Sequence, residues 1–440
     1  MRLRFYHADL LSESINEDGT PAFDVQEGEI WCDGGKITFR GPKSEASEIL
    51  RTTTSPQFDE EIDCGGDLLM PGMKNMHTHS PMTFLRSYAE GLPLDRWLNE
   101  AVFPMEALLD ADSVEAFTKV AILEYLRNGT TTIFDMYHFE TSVAKACSDM
   151  GMRFLLCGNV NLYTGSLSDN EFRMRMLHDK FHSPMGGFRL GAHAEYTNDI
   201  PMLEMLNSLA HEWKAPFYTH MAETKKEVEG CIAKYGKSPV ELFCDLGLFD
   251  YGGGIFHGVW LSDRDLSLLK EHGVGIISNP GSNGKLASGM APYKRIVSAG
   301  IPLGFGTDGP ASNNALDLFR EIYLAAMYSK LTDQDAIAIP DEVFLDAALN
   351  SGAKIAGLEL GDAADFILLD THLPNLYPRE HLVPQILYSA NGANVRMTVI
   401  DGKILYRDGK YPYVDDLEGI YEEFDRHLKE IVSKKRGNHS

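Results

Sequence analysis

Eight short apolar runs, each followed by a helix-like stretch, fill the middle of the chain, and this alternation restricts the fold more than any other feature. The runs are LLMPGMKNMH, TTIFDM, FLLCGNV, FRLGAHA, PFYTHMA, GIFHGVW, VGIISNP and PLGFGTD. Their length and apolar content suit buried strands. Between them lie segments such as SVEAFTKVAILEYLRNG and SDRDLSLLKEHG, each opening on a serine able to cap a helix and closing on a glycine. Eight βα units over about 290 residues fit a (β/α)8 barrel better than an open doubly wound sheet. The expected class is α/β, with a TIM-type barrel at its centre.

The two ends have a different texture. RLRFYHADLL, GEIWCDGGKITFRG and EEIDCGGDLLMPG at one end, and ADFILLD and RMTVIDGKILYRDGKYPY at the other, read as short strands broken by Asp-Gly and Gly-Gly turns. IDGK has the form of a two-residue hairpin turn. The expected organisation is a barrel over residues 67–360 and a small β-sandwich domain built jointly from residues 1–66 and 361–440. An amphipathic helix from about residue 416 to about 432 should close the chain, followed by the polar tail KKRGNHS.

Charge and cysteine usage exclude several functions. The 64 acidic against 40 basic residues give a net charge of −24, which opposes attraction to nucleic-acid phosphates or anionic lipid surfaces. No apolar run approaches the roughly 18 residues needed to span a bilayer. The N-terminus lacks the apolar core and cleavage site of a signal peptide. Six scattered cysteines without a CxxC pair argue against a thiolate metal cage or a disulfide scaffold. A cytoplasmic protein with reduced cysteines is expected, binding neither nucleic acid nor membrane.

The strand ends carry the chemistry. The first run ends in His77-Thr78-His79, the fourth in His193, the fifth in His220, the sixth in His257 and the eighth in Asp308. A barrel opens all of these on one face, where catalytic groups of such enzymes gather. A single buried histidine is usually a hydrogen-bonded core residue, but such a coincidence over five strands is hard to reach by accident. His77 and His79 are two apart and so share a side of their strand. With His220 and Asp308 they offer three nitrogens and one oxygen, a donor set for one divalent transition metal, zinc ahead of iron, and not for magnesium or calcium. Such a metal lowers the pKa of a bound water toward neutrality. Glu223, three residues after His220, is spaced to shuttle protons beside it. Alone, Glu223 would read as an acidic residue in the first turn of a helix.

PGMKNMHTHSPMTFLRSYAEGLPLDRWLNEAVFPMEALL, THMAET and NPGSNGKLASGMAPYKRIVSAGIPLGFGTDGPASNNALDLF closely resemble the amidohydrolase superfamily. The branch is the cytosine-deaminase-like one, nearest the methylthioadenosine/S-adenosylhomocysteine deaminases and related to triazine chlorohydrolases. The resemblance covers nearly the whole chain. It implies one metal held by His77, His79, His220 and Asp308, with Glu223, His257 and Asp308 as catalytic residues. The implied reaction is attack of metal-bound hydroxide on the amino-bearing carbon of a heterocyclic amine, with proton transfer from Glu223 and loss of ammonia. His257 would orient the water. Binuclear relatives carry a bridging lysine where this chain has His193, so a mononuclear site is expected. Trp97 and Glu106 match residues that contact the ribose, and His193 matches one that binds the heterocycle. A homo-oligomer is expected.

Trp97 also shares a helical face with Leu94, Leu98 and Ala101, as a core residue would. Glu106 follows Pro104, as a residue decorating a helix start would. S-adenosylhomocysteine deaminases are similar in using arginines after the third strand, where this chain has Cys157-Gly158; Arg173 or Arg175 are the available substitutes. Adenosine, 5′-methylthioadenosine and 5′-deoxyadenosine therefore stand ahead of S-adenosylhomocysteine. Glu195 stands in a motif that usually reads His-Ser-Pro-Tyr and could alter which ring edge is read. Guanine, a pterin, cytosine or a chlorotriazine are alternative substrates, and a catalytically silent binding barrel is the alternative of another class. GFGTDG, GCIAKYGKS and His193-Ala-Glu195 imitate a dinucleotide fingerprint, a P-loop and a small zinc-deaminase motif, each with its required context missing.

Overall fold

The computed structural model describes residues 1–51 and 56–437. The chain enters through β1 (Arg2–Ile15), β2 (Pro21–Asp33), β3 (Lys36–Pro42), β4 (Glu60–Asp63) and β5 (Leu68–Pro71). It then forms the parallel strands β6 (Met73–Thr78), β7 (Thr130–Asp135), β8 (Arg153–Cys157), β9 (Gly186–Ala194), β10 (Phe217–Met221), β11 (Gly253–His257), β12 (Val274–Ser278) and β13 (Leu303–Phe305). These pair in chain order, with helices between them, and form the expected barrel. The chain finishes with β14 (Phe366–Leu369), β15 (Val395–Ile400), β16 (Lys403–Arg407) and the helix Leu417–Gly437.

The remaining strands form one mixed sheet from both termini, ordered β3-β2-β1-β5-β14-β15-β16, with β4 on β1. The two ends join where β5 runs antiparallel to β14, Leu68 opposite Leu369 and Pro71 opposite Phe366. Alternate residues of β5 face opposite sides. Leu69 enters the small core of this sheet with Phe5, Ile30, Phe366 and Val399, whereas Leu68 and Met70 enter the larger core around the barrel. The β15–β16 turn is the expected two-residue hairpin, with Asp401 and Gly402 both left-handed.

Three local readings shift. LLMPGMKNMH is two strands in two sheets, β5 and β6, divided at Gly72. Both halves are buried, so the hydropathy carries no mark of the change of sheet. The helix Ala111–Arg127 is capped by Asp110 and not by Ser113; Ser113 is the reciprocal partner, with N–H···O distances of 2.9 Å in both directions. The terminal helix extends through Lys434, Lys435 and Arg436, whose charges favour the negative end of the helix dipole. Residues 438–440 of the expected tail lie outside the described residues.

The first and last barrel strands meet at a seam. Asp308 N donates to His77 O (3.0 Å), and the Asn75 amide accepts from Thr307 N (3.0 Å) and donates to Thr307 Oγ1 (2.7 Å). Gly306 allows this approach, since a Cβ there would stand 2.5 Å from His77 N. Met76, Phe134, Tyr218 and Phe256 fill the interior. The six cysteines are free. Among the described residues no helix is long and apolar enough to cross a membrane.

Candidate active site

β6 delivers His77 and His79, β10 delivers His220, and the seam places Asp308 beside them. One ligand atom from each of the four residues lies within 4.8 Å of all the others. Asp308 Oδ1 is 3.4 Å from His77 Nε2 and 3.1 Å from His79 Nε2, and His79 Nε2 is 3.3 Å from His220 Nε2. The Nδ1 atoms of His79 and His220 face the carbonyls of Met136 and His193, the latter at 2.7 Å. A carbonyl can only accept, so both Nδ1 atoms carry hydrogen and the two Nε2 atoms face each other. Neither nitrogen of the fully buried His77 has a hydrogen-bond partner. Convergent Nε2 atoms and an orphaned imidazole beside a carboxylate fit a single cation held among the four.

The electrostatics agree. Burial pushes His77 down to about 3 and His220 well below its ordinary value, so both are neutral donors at pH 7. At His79 burial acts downward, but the hydrogen bond and charge of Asp308 outweigh it and raise the group to about 9. Burial acts upward on Asp308, and contacts with His77 and His79 outweigh it and hold the carboxyl well below its usual range. Positive charge is favoured at this point.

Glu223 and His257 stand beside this group, with His257 Nε2 3.7 Å from Glu223 Oε2. Burial raises the Glu223 carboxyl, which favours its protonated form. His257 and Asp308, together with Ala222 next to Glu223, have left-handed backbones with φ of 74°, 57° and 54°. Such conformations cost non-glycine residues roughly 1–2 kcal/mol each and gather at functional sites.

A cavity of about 720 Å³ opens over the group and reaches His79, His220, Asp308, Glu223 and His257. Trp97, Glu106 and His193 line the same cavity. Trp97 is buried as well as cavity-lining, so its two sequence readings are compatible. His193 Nδ1 is 3.1 Å from Thr197 Oγ1. Arg173 lines the far wall, its guanidinium engaged by Glu140 (3.3 Å), Asn159 O (3.0 Å) and Asn170 Oδ1 (2.9 Å). Arg175 is turned outward to Glu171 and Glu212. Glu195 lines a neighbouring cavity, 3.9 Å from Lys234, and does not line the one that holds His193. GFGTDG precedes no immediate helix, and GCIAKYGKS begins inside the helix Lys225–Tyr235.

Sequence reasoning missed several polar residues. The Tyr137 hydroxyl is buried at the cavity wall with no hydrogen-bond partner. Ser282 and Ser312 both donate to Asp308 Oδ2, at 2.6 and 2.8 Å, Asn283 Oδ1 is 2.8 Å from His257 Nδ1, and Ser288 Oγ donates to Glu223 Oε1 at 3.2 Å. Their only signal in the sequence was their nearness to the strand ends.

Comparisons with known proteins agree with this arrangement. Residues 68–405 match the model of the amidohydrolase family. The 5-methylthioadenosine/S-adenosylhomocysteine deaminase of Thermoanaerobacter pseudethanolicus is 34% identical over 422 residues, covering 93% of this chain and 96% of its own. The 5′-deoxyadenosine deaminase of Methanosarcina mazei is 36% identical over 423 residues, covering 94% and 95%. Among solved structures, an adenosine deaminase from Xanthomonas campestris with bound zinc superposes with a TM-score of 0.88 at 29% identity over 98% of both chains. An atrazine chlorohydrolase from Arthrobacter aurescens, at 20% identity and a TM-score of 0.83 over 97% of this chain and 100% of its own, shares the fold. On its barrel, its four-residue donor group and these matches, the chain belongs to the amidohydrolase family.

Proposed function

We propose that this chain is a mononuclear metal-dependent aminohydrolase that deaminates an adenine nucleoside. The carrying observation is that one cavity brings three of the four convergent metal donors, His79, His220 and Asp308, together with a buried glutamic acid, Trp97 and Glu106. His77, His79, His220 and Asp308 would hold the ion, and the imidazole-carboxylate set suits zinc. When bound, that ion supplies the acidity that makes a water nucleophilic near neutral pH.

The chain's own residues account for the remaining steps. Trp97 packs against the nucleoside, and Glu106 accepts hydrogen bonds from the ribose hydroxyls. His193 bonds the heterocycle. Water oxygen, oriented by His257, adds to the amino-bearing ring carbon as Glu223 gives its proton to the adjacent ring nitrogen. The two water protons pass by way of Asp308 and His257, one to the departing amino nitrogen and one back to Glu223. The C–N bond then breaks, and nitrogen leaves as ammonia while the ring keeps the oxygen as a carbonyl. Burial of Glu223 raises its carboxyl and so favours the protonated form that this transfer needs.

Adenosine, 5′-methylthioadenosine and 5′-deoxyadenosine are the favoured substrates. S-adenosylhomocysteine ranks lower, because Arg173 is already paired with Glu140 and Arg175 faces away. Ammonia release over these four compounds, guanine, cytosine and a pterin tests the reading, and turnover confined to a non-nucleoside heterocycle would refute it. His77→Ala should also lower the metal content of purified protein; an unchanged content would remove His77 from the ligand set.

A further inference from the structure

β12 contributes no residue to the four-donor group, yet the segment leaving it, residues 279–288, touches three side chains that do the chemistry. Ser282 donates to Asp308, Asn283 meets His257, and Ser288 donates to Glu223. These recipients leave three different strands, β13, β11 and β10. All three segment side chains are buried. None has a titratable group, so none can itself carry the proton.

Each contact fixes one choice. Ser282 and Ser312 together occupy Asp308 Oδ2, which leaves Oδ1 toward His77 and His79. Asn283 Oδ1 can only accept, so His257 carries its hydrogen on Nδ1 and keeps an open lone pair on Nε2, the atom that faces Glu223. Asn283 Nδ2 is buried with no partner, so the contact with His257 is what the side chain is oriented by. The segment is anchored from behind. Glu321, fully buried, accepts from Gly281 N at 2.7 Å and from Asn313 Nδ2 at 2.8 Å. A Cβ at Gly281 would stand 2.6 Å from Glu321 Oε1, so the glycine is what lets the segment lie against its anchor.

We propose that residues 279–288 are the positioning element of the site, with Asn283 holding His257 in the tautomer that hydrogen-bonds through Nδ1 and presents a bare Nε2. Ser282 and Ser288 fix the rotation of Asp308 and Glu223 in the same way. This rests on the roles given above to His257 and Glu223. These are positioning residues, acting through others.

The test compares Asn283→Ala, Asn283→Leu and Asn283→Asp in the metal-loaded full chain. Aspartate keeps the shape and volume of asparagine, leucine keeps only its γ-branched shape in a somewhat larger side chain, and only aspartate keeps an acceptor for the ring N–H. The alanine and leucine variants should lose about 10- to 100-fold in kcat with metal content unchanged. KM should stay within about twofold, and aspartate should recover most of the loss. Long-range ¹H–¹⁵N spectra without nucleoside, with His257 assigned by its loss in His257→Asn, should show hydrogen on Nδ1 in the wild type and Asn283→Asp and a mixed ring in Asn283→Leu. Near-wild-type kcat in the leucine variant, or a wild-type ring protonated on Nε2, would overturn the proposal. Should no nucleoside be turned over, the functional reading fails while the ring spectrum still decides the role of Asn283.

Discussion

The two ends of the barrel treat polar groups in opposite ways. At the base, Arg153 forms a buried bidentate pair with Asp365 (2.5 and 2.9 Å), and Arg189 donates to the carbonyls of Ala356 and Gly357 at 2.7 Å. Lys74, pushed down to about 8 by burial, donates to Gly72 O at 3.0 Å. At the mouth, His77, Tyr137 and Asn283 each leave a buried polar atom without a partner, and His257 and Asp308 hold left-handed backbones. Unpaired buried groups cost about 1–3 kcal/mol each. The charged groups of the base are paired, although Thr130 and Thr132 at the start of β7 also leave hydroxyls without a partner; the mouth differs in gathering its open polar atoms around the donor group.

Substitutions can break that comparison. Glu223→Gln at the mouth should lower kcat by about 1000-fold while metal content and thermal midpoint hold. Near-normal turnover with metal bound would take the proton role from Glu223. Asp365→Ala at the base should do the reverse, losing about 3–5 kcal/mol in denaturant unfolding because Arg153 is left buried and unpaired. Turnover per folded molecule should stay close to wild type; a parallel collapse in turnover would mean that base and mouth are not separable. Glu106→Ala should cost about 10- to 100-fold in kcat/KM with adenosine and little with free adenine, and equal losses would remove Glu106 from the ribose contact.

A separate effect concerns pH. Burial raises the Glu321 carboxyl from 4.5 to about 8. A group raised in the folded state contributes stability that is complete below its unfolded value and is lost as pH rises through the folded value. Wild type should therefore lose stability relative to Glu321→Gln between about pH 5 and 8, by up to about 1.4 kcal/mol per pH unit. A pH-independent difference in melting would show that Glu321 titrates alike in both states.

Much of the fold was legible because barrel strands are short, apolar and regularly spaced, and because His77, His79, His220, His257 and Asp308 all stand at strand ends. What escaped has physical causes. The break at Gly72 separates two buried strands of equal hydropathy, so composition is blind to it. Asp110 and Ser113 are both able to cap a helix, and only the backbone angles decide between them. Ser282, Asn283 and Ser288 do not ionise, and their roles arise from contacts with strands distant in sequence. Arg173 and Arg175 differ by two positions on one helix, yet the fold turns one toward the cavity and the other toward solvent.

The β6–β13 seam has a consequence for the order in which the protein matures. Asn75 and Thr307 are 232 positions apart, and the bonds between them set Asp308 beside His77. During synthesis the three histidines emerge long before the carboxylate. Contacts of such long separation form late, after the entropy of closing a long chain segment has been met. The complete donor set therefore exists only once the last βα unit has docked. A metal held by all four donors would thus be taken up at full affinity only after ring closure.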